Sequence, residues 1–199
     1  EILSYIAKIH EFKGKQELYF RQKPVELERL AEIAKVQSTE SSNRIEGIVT
    51  TRSRLQQLVE DKTTPRNRDE KEILGYRNVL SLTHEKYQYN PLKSNYILQL
   101  HRDLLQYTEL SYGGKYKTSP NEIDAVLPNG EKRILFKPLE PYETPDAIEQ
   151  ICSSYQQALD CEIVDSLILI PCVILDFLCV PPFNAVNGRM SRLLTLLIL

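Results

Sequence analysis

Along most of this chain apolar side chains recur three and four positions apart, the spacing of one helix face, and only one stretch switches to alternation. EILSYIAKIH reads as a short amphipathic helix. PVELERLAEIAKVQSTESSNRIEG opens on Pro24, a residue suited to a first helical turn. It carries Leu27, Leu30, Ile33, Ala34 and Gln37 on one stripe and stops naturally at Gly47. TTRSRLQQLVED joins a Thr or Ser cap to a short helix, and the loop KTTPRNRD follows around Pro65. Helical spacing resumes at Asp69 through Ile73, Tyr76, Val79, Leu80 and Tyr87. It returns in SNYILQLHRDLLQY, where Ser94 is the expected cap. Gly113, Gly114 and Pro120 preclude a helix in SYGGKYKTSP. EIDAVL and KRILFKP then flank the turn PNGE with alternating apolar residues, the pattern of a β-hairpin. Thr144 as cap and Pro145 at the first position begin another helix through Tyr155 and Leu159.

The run IVDSLILIPCVILDFLCV is long enough to suggest a membrane span, but it contains Asp165, Asp176 and Pro171 and is expected to be a buried core helix. The final helix runs from Arg189 and Arg192 into LLTLLIL, and a further helical segment is expected beyond Leu199. Together the pattern predicts a mainly α fold, a single helical domain carrying one hairpin. Residues 1–68 are assigned to an N-terminal helical region and 69–199 to the core.

Composition narrows the partners. The 25 Lys and Arg against 27 Asp and Glu leave a formal net charge of -2, which exerts no global pull toward nucleic acid or an acidic membrane, so neither is expected as a partner. Cys152, Cys161, Cys172 and Cys179 match neither a zinc pattern nor a secreted disulfide framework. Reduced thiols buried on apolar helices, in a cytoplasmic protein without a signal peptide, are expected. His84 and His101 fall on helices with no second metal ligand at a suitable spacing, and His10 is equally remote from the chemistry considered next.

That chemistry lies in CVPPFNAVNGRMSR. A phosphate cradle needs converging backbone amides, small residues that admit the anion, a helix N-terminus pointing at it, and cations beside it. Asn187 and Gly188 suit a tight turn, and Arg189 and Arg192 stand three apart on one side of the helix that follows. Two guanidinium groups so placed suit a polyphosphate. On the pattern alone, an arginine-flanked surface helix fits equally well.

The segment resembles the signature of the Fic (Fido) family, His-x-Phe-x-(Asp/Glu)-Gly-Asn-Gly-Arg-x-x-Arg, which it matches at Phe183, Asn187, Gly188, Arg189 and Arg192. The apolar helix before it, GGKYKTSP and the hairpin EIDAVLPNGEKRILFKP resemble the family's core in the same order. Upstream, SNRIEG resembles the family's inhibitory pattern (Ser/Thr)-x-x-x-Glu-(Gly/Asn), with Ser42, Glu46 and Gly47 at its defining positions.

The resemblance implies a Fic-type helical domain with a hairpin flap and, as activity, transfer of AMP from ATP to a hydroxyl of a target protein, with ATP and Mg²⁺ as cofactors. By the same resemblance Asn187, Gly188 and Arg189 hold phosphates and Arg192 holds the γ-phosphate. Glu46 pairs with Arg192 and blocks that place. Ile123, Val126, Ile134, Leu135 and Phe136 build or border the flap that receives a target segment as an added strand; a hairpin that merely packs is the alternative. The family's base, a His, is here Pro181, which has no titratable atom, and its metal-binding acid is Ala185, whose side chain has no oxygen. No catalytic residue and no metal ligand are therefore assigned. Val186 replaces the first motif glycine, and its β-branch is expected to resist positive φ and to crowd a phosphate. The sequence thus predicts a self-inhibited transferase that is inactive or impaired, with a non-catalytic nucleotide- or peptide-binding module on the same fold as the alternative. Phosphate or phosphocholine transfer, weaker still, would also miss the His.

Overall fold

The computed structural model describes residues 1–22, 24–87, 91–127 and 130–199. In chain order the elements are α1 (Ile2–Gln22), α2 (Pro24–Ile45), α3 (Arg52–Val59), α4 (Arg68–Lys86), α5 (Ser94–Leu105), β1 (Ile123–Val126), β2 (Lys132–Phe136), α6 (Thr144–Cys161), α7 (Ser166–Cys179) and α8 (Asn187–Ile198). The mainly helical architecture with one antiparallel hairpin is as the hydrophobic pattern predicts.

Helix α8 runs through the main core. Met190, Leu193, Leu194 and Leu197 are buried along it, against Tyr76, Val79 and Leu80 of α4, Ile97, Leu100 and Leu104 of α5, Ile148 and Cys152 of α6, and Val173 and Phe177 of α7. Gly75 brings α4 and α5 together, since a Cβ there would stand 2.0 Å from the Leu104 carbonyl oxygen. A smaller cluster of Leu55, Leu58, Val59 and Ile73 seats α3 on α4. It is reinforced by Arg54 and Glu70, whose ion pair closes at 2.7 Å and holds the Glu70 carboxyl down at about 2.

Local signals decide most helix ends. Thr51 and Asn67 cap α3 and α4 by accepting from the Arg54 and Glu70 amides. Gly47, at φ 75°, ends α2 in a left-handed turn. Two expected caps are corrected. Ser94 is the first residue of α5, after an N-cap at Lys93, and its hydroxyl binds Glu149. Thr144 likewise lies inside α6, where its hydroxyl donates to the Glu140 carbonyl. Each stands one residue past the N-cap, already inside its helix, so neither oxygen is placed to accept the amides of the first turn.

Burial overturns three further expectations. The α2 stripe turns outward, with Leu30 and Ile33 exposed, because α2 meets α4 and α8 through its other face, at Thr39, Ser42 and Asn43. Helix α7 is an outer helix packed on one side only, so Leu175 and Leu178 are exposed and only Ile170, Val173 and Phe177 are buried. For the same reason Cys172 and Cys179 are exposed, as is Cys161 at the end of α6, leaving Cys152 as the thiol in the core. No described helix is long and apolar enough to cross a membrane.

In the hairpin, Ile123 pairs with Phe136 and Val126 with Lys132, with a register shift after Ile123. Pro128 and Asn129 of the expected turn lie outside the described residues; around them Leu127 and Glu131 close the hairpin and Gly130 takes φ 84°.

Candidate functional site

The loop 180–186 and the first turn of α8 are held from three sides. From the loop before the hairpin, the Lys117 amide donates to the Pro182 carbonyl at 2.8 Å and its ammonium to the Val180 carbonyl at 3.1 Å. That ammonium is buried, which lowers its proton affinity. Asn121 donates to the Pro181 and Phe183 carbonyls, and the Thr118 amide to Asn184 Oδ1. From within, Asn187 ties the loop to the helix. Its Oδ1 accepts the Phe183 amide at 3.0 Å and its Nδ2 donates to the Phe183 carbonyl at 2.7 Å.

From beneath, α5 supplies His101. Its ring lies face to face with Phe183 at 3.7 Å between centroids and 9° between planes, and Nδ1 accepts the Gly114 amide at 3.1 Å. Burial pushes its pKa down to about 4, against the Ala185 carbonyl, which favours a proton on the ring. The expectation that every histidine lies far from the motif is therefore corrected. Separation along the chain hid a contact that the packing of α5 creates. A helical histidine followed by a glycine pair was the only signal available.

Val186 holds φ 64° and ψ 16°, the left-handed conformation, immediately before α8. Its branched side chain does not prevent the turn, contrary to the sequence expectation. The isopropyl group packs against the main core, which offsets the conformational cost of roughly 1–2 kcal/mol. The carbonyl of Val186 accepts the Met190 amide at 2.9 Å, so the first amides of α8 point out of the helix end without partners inside it.

The two arginines of this turn are engaged differently. Arg192 Nε donates to Ser42 Oγ at 2.7 Å, and Nη2 donates to the Ser42 carbonyl at 3.0 Å and to Glu46 Oε1 at 2.8 Å. The Arg192 and Glu46 side chains remain 30% and 35% exposed. Glu46 Oε1 also sits 2.7 Å from where a Cβ on Gly188 would stand, so its carboxylate lies across the open end of α8. Arg189 is only 4% exposed and donates to Glu72 Oε2 at 2.6 Å and to Asn43 Oδ1 at 3.3 Å. Ser42, Glu46, Gly188 and Arg192 are thus assembled at one point, while Arg189 turns inward to α4 and α2.

Pro181 and Ala185 lie in the loop before this turn, with no base and no oxygen ligand in their side chains. Among the described residues no group of three or more His, Cys, Asp or Glu side chains is placed to hold a metal ion, and at position 185 the alanine offers no oxygen to Mg²⁺. The flap positions Val126, Ile134, Leu135 and Phe136 are exposed on the hairpin; Ile123 belongs to its first strand. A cleft of about 640 Å³ between α6, α7 and the exit of the hairpin reaches the loop only at Val180.

The sequence pattern described as the Fic/DOC family matches residues 91–199, more than half of the chain. The chain belongs to the Fic/DOC family. Members of this family transfer nucleotide to proteins. No curated protein sequence matches the chain. Among solved structures, this Fic chain is 26% identical to a Fic domain containing signaling protein from Bacteroides thetaiotaomicron, over 89% of this chain and 66% of that one, with a TM-score of 0.77. A Fic family protein from Desulfovibrio desulfuricans superposes with a TM-score of 0.72 at 17% identity, over 99% of this chain and 56% of that one. A variant of Fic-1 (aa134–508) from C. elegans gives 0.70 at 16% identity, over 98% and 58%. These last two likenesses establish the Fic fold alone. The chain spans 56% to 66% of the length of these structures.

Proposed function

We propose that this Fic domain is of the protein adenylyltransferase type, that Glu46 holds it in a self-blocked state, and that its chemistry is impaired while its phosphate turn survives. The observation that carries this reading is Glu46 Oε1, 2.8 Å from Arg192 Nη2 and directly over Gly188. A carboxylate there competes with a terminal phosphate for one guanidinium and repels it from the helix end. The left-handed backbone of Val186 supports a turn still shaped for an anion.

Transfer itself requires a group to take the proton from the attacking hydroxyl. Pro181 supplies none, and general-base catalysis is worth about 10² to 10⁴-fold. Nothing in the loop substitutes. Asn184 accepts the Thr118 amide and has no useful basicity, and the Lys117 ammonium is buried against the Val180 carbonyl. Ala185 offers no oxygen through which a metal could be held beside the phosphates. The preserved turn beside the missing handles also favours a second reading, a nucleotide-binding module without catalysis.

Titration of ATP by calorimetry separates these readings from an empty scaffold. In the self-blocked reading the Glu46→Gly variant binds ATP at least about tenfold more tightly than the parent; no heat in either protein rejects both nucleotide readings. Adding Pro181→His and Ala185→Asp to Glu46→Gly then tests the scaffold, with labelled AMP on the protein itself as the expected product.

A further inference from the structure

Phosphate turns work through the positions of a few backbone amides, so whatever fixes those amides belongs to the site even without touching the anion. In this chain the turn's own restraints converge on Phe183. Its amide and carbonyl are both gripped by Asn187, the second residue after Ala185, and its carbonyl also accepts from Asn121. Phe183 is fully buried, and one face of its ring is covered by His101 at stacking distance. Moving Phe183 therefore moves Asn187 and the first turn of α8 with it.

We propose that His101 is the positioning residue of the phosphate turn, holding Phe183 by its ring face and fixing its own orientation through the Gly114 amide. Two independent features of the ring support this. Because Nδ1 accepts an N–H, the ring proton resides on Nε2, and the imidazole is neutral. A neutral imidazole stacks on an apolar ring with little desolvation cost, whereas an imidazolium here would have no carboxylate to face. Nε2 is buried and faces the Ala185 carbonyl, a polar contact that falls short of ordinary hydrogen-bond geometry. What the histidine adds over a phenylalanine is the bond to Gly114 and the polar contact to the Ala185 carbonyl. Gly114 itself has φ 74° and lies against Arg102 of α5, so the glycine turn before the hairpin and the loop after α7 are registered on one ring.

This inference rests on the reading that the turn receives phosphate, and its test keeps the two apart. In the Glu46→Gly background, His101→Asn retains an acceptor for Gly114 but removes the ring face, while His101→Phe retains the face and loses the acceptor. Calorimetric titration with ATP, at a temperature where circular dichroism shows each variant folded, is expected to give about tenfold weaker binding for His101→Asn, the scale at which a supporting residue acts on the groups it orients. His101→Phe is expected to fall between it and the parent. Equal affinity in all three proteins overturns the inference. A second measurement needs no nucleotide. In the unliganded chain, amide resonances of Ala185, Val186 and Gly188 shift on His101→Asn and stay in place on the control His84→Asn, and unmoved resonances in the His101 variant also overturn it. If the Glu46→Gly parent takes no ATP, the nucleotide reading fails and the resonances still decide the role of His101.

Discussion

Val186 is the residue at which local preference and tertiary structure disagree most openly. A β-branched side chain resists φ 64°, yet the backbone takes that value because Asn187, the core contact of the isopropyl group and the start of α8 all require it. Comparing Val186→Gly with Val186→Ala isolates the backbone term, since both remove the isopropyl group. Only alanine retains the left-handed strain. Glycine is expected to be the more stable of the two by about 1 kcal/mol, or roughly 2–4 °C in Tm, the reverse of their usual order. Thermal unfolding with alanine equal or higher would show the turn to be relaxed. The sequence made the missing base and ligand at Pro181 and Ala185 legible, because side-chain chemistry is written there. It did not make the φ of Val186 legible, because a conformation imposed by neighbours leaves no trace in the residue itself. His101 escaped for a related reason, since stacking depends on how α5 packs.

At the scale of elements, α8 is joined to α2 and α4 by two arginine–carboxylate pairs of unlike character. Arg189 and Glu72 are 4% and 5% exposed, while Arg192 and Glu46 are 30% and 35% exposed. Removing one member of a buried pair strands its partner, and removing one member of a half-exposed pair lets water replace it. Glu72→Ala is therefore expected to cost about 3–5 kcal/mol, and Glu46→Gly less than about 1 kcal/mol. Urea titrations at constant m-value measure both. Similar losses would mean that the Glu46 contact is as structural as the Glu72 contact, which counts against a displaceable block. Helical spacing predicted each of these elements and the hairpin, and motif spacing brought Ser42 and Glu46 to Arg192. What spacing could not supply was the side of each helix that faces the core. The apolar stripe of α2 lies outward while Thr39, Ser42 and Asn43 are buried, because polar contacts to Arg189 and Arg192 of α8 favour that rotation.

Over the whole molecule, burial falls off steeply from α8 to α1. Residues 189–191, 193, 194 and 197 are buried on α8, and every core helix touches it or its neighbours. Helix α1 presents Leu3, Tyr5, Phe12 and Leu18 to solvent. Among the described residues, a hydrogen bond ties His10 Nε2, at 2.8 Å, to Asp165, the residue that caps α7. The sequence predicted a helix at each place, though at the N-terminus only a short one over EILSYIAKIH where α1 runs Ile2–Gln22, and amphipathic spacing does not report how much of a face finds a partner. Local opening free energy follows buried contact, so α1 and α8 are expected to differ in stability within one fold. Native-state hydrogen exchange should show α1 amides exchanging through local opening, at least about 10²-fold faster than those of Leu193, Leu194 and Leu197. The α8 amides should open only with the global transition. His10→Ala should speed exchange in α1 and leave α8 unchanged, because an exposed pair of this kind acts locally and is worth less than about 1 kcal/mol. Equal protection in the two helices would contradict the steep gradient of burial and place α1 within the cooperative unit that holds the turn at the start of α8.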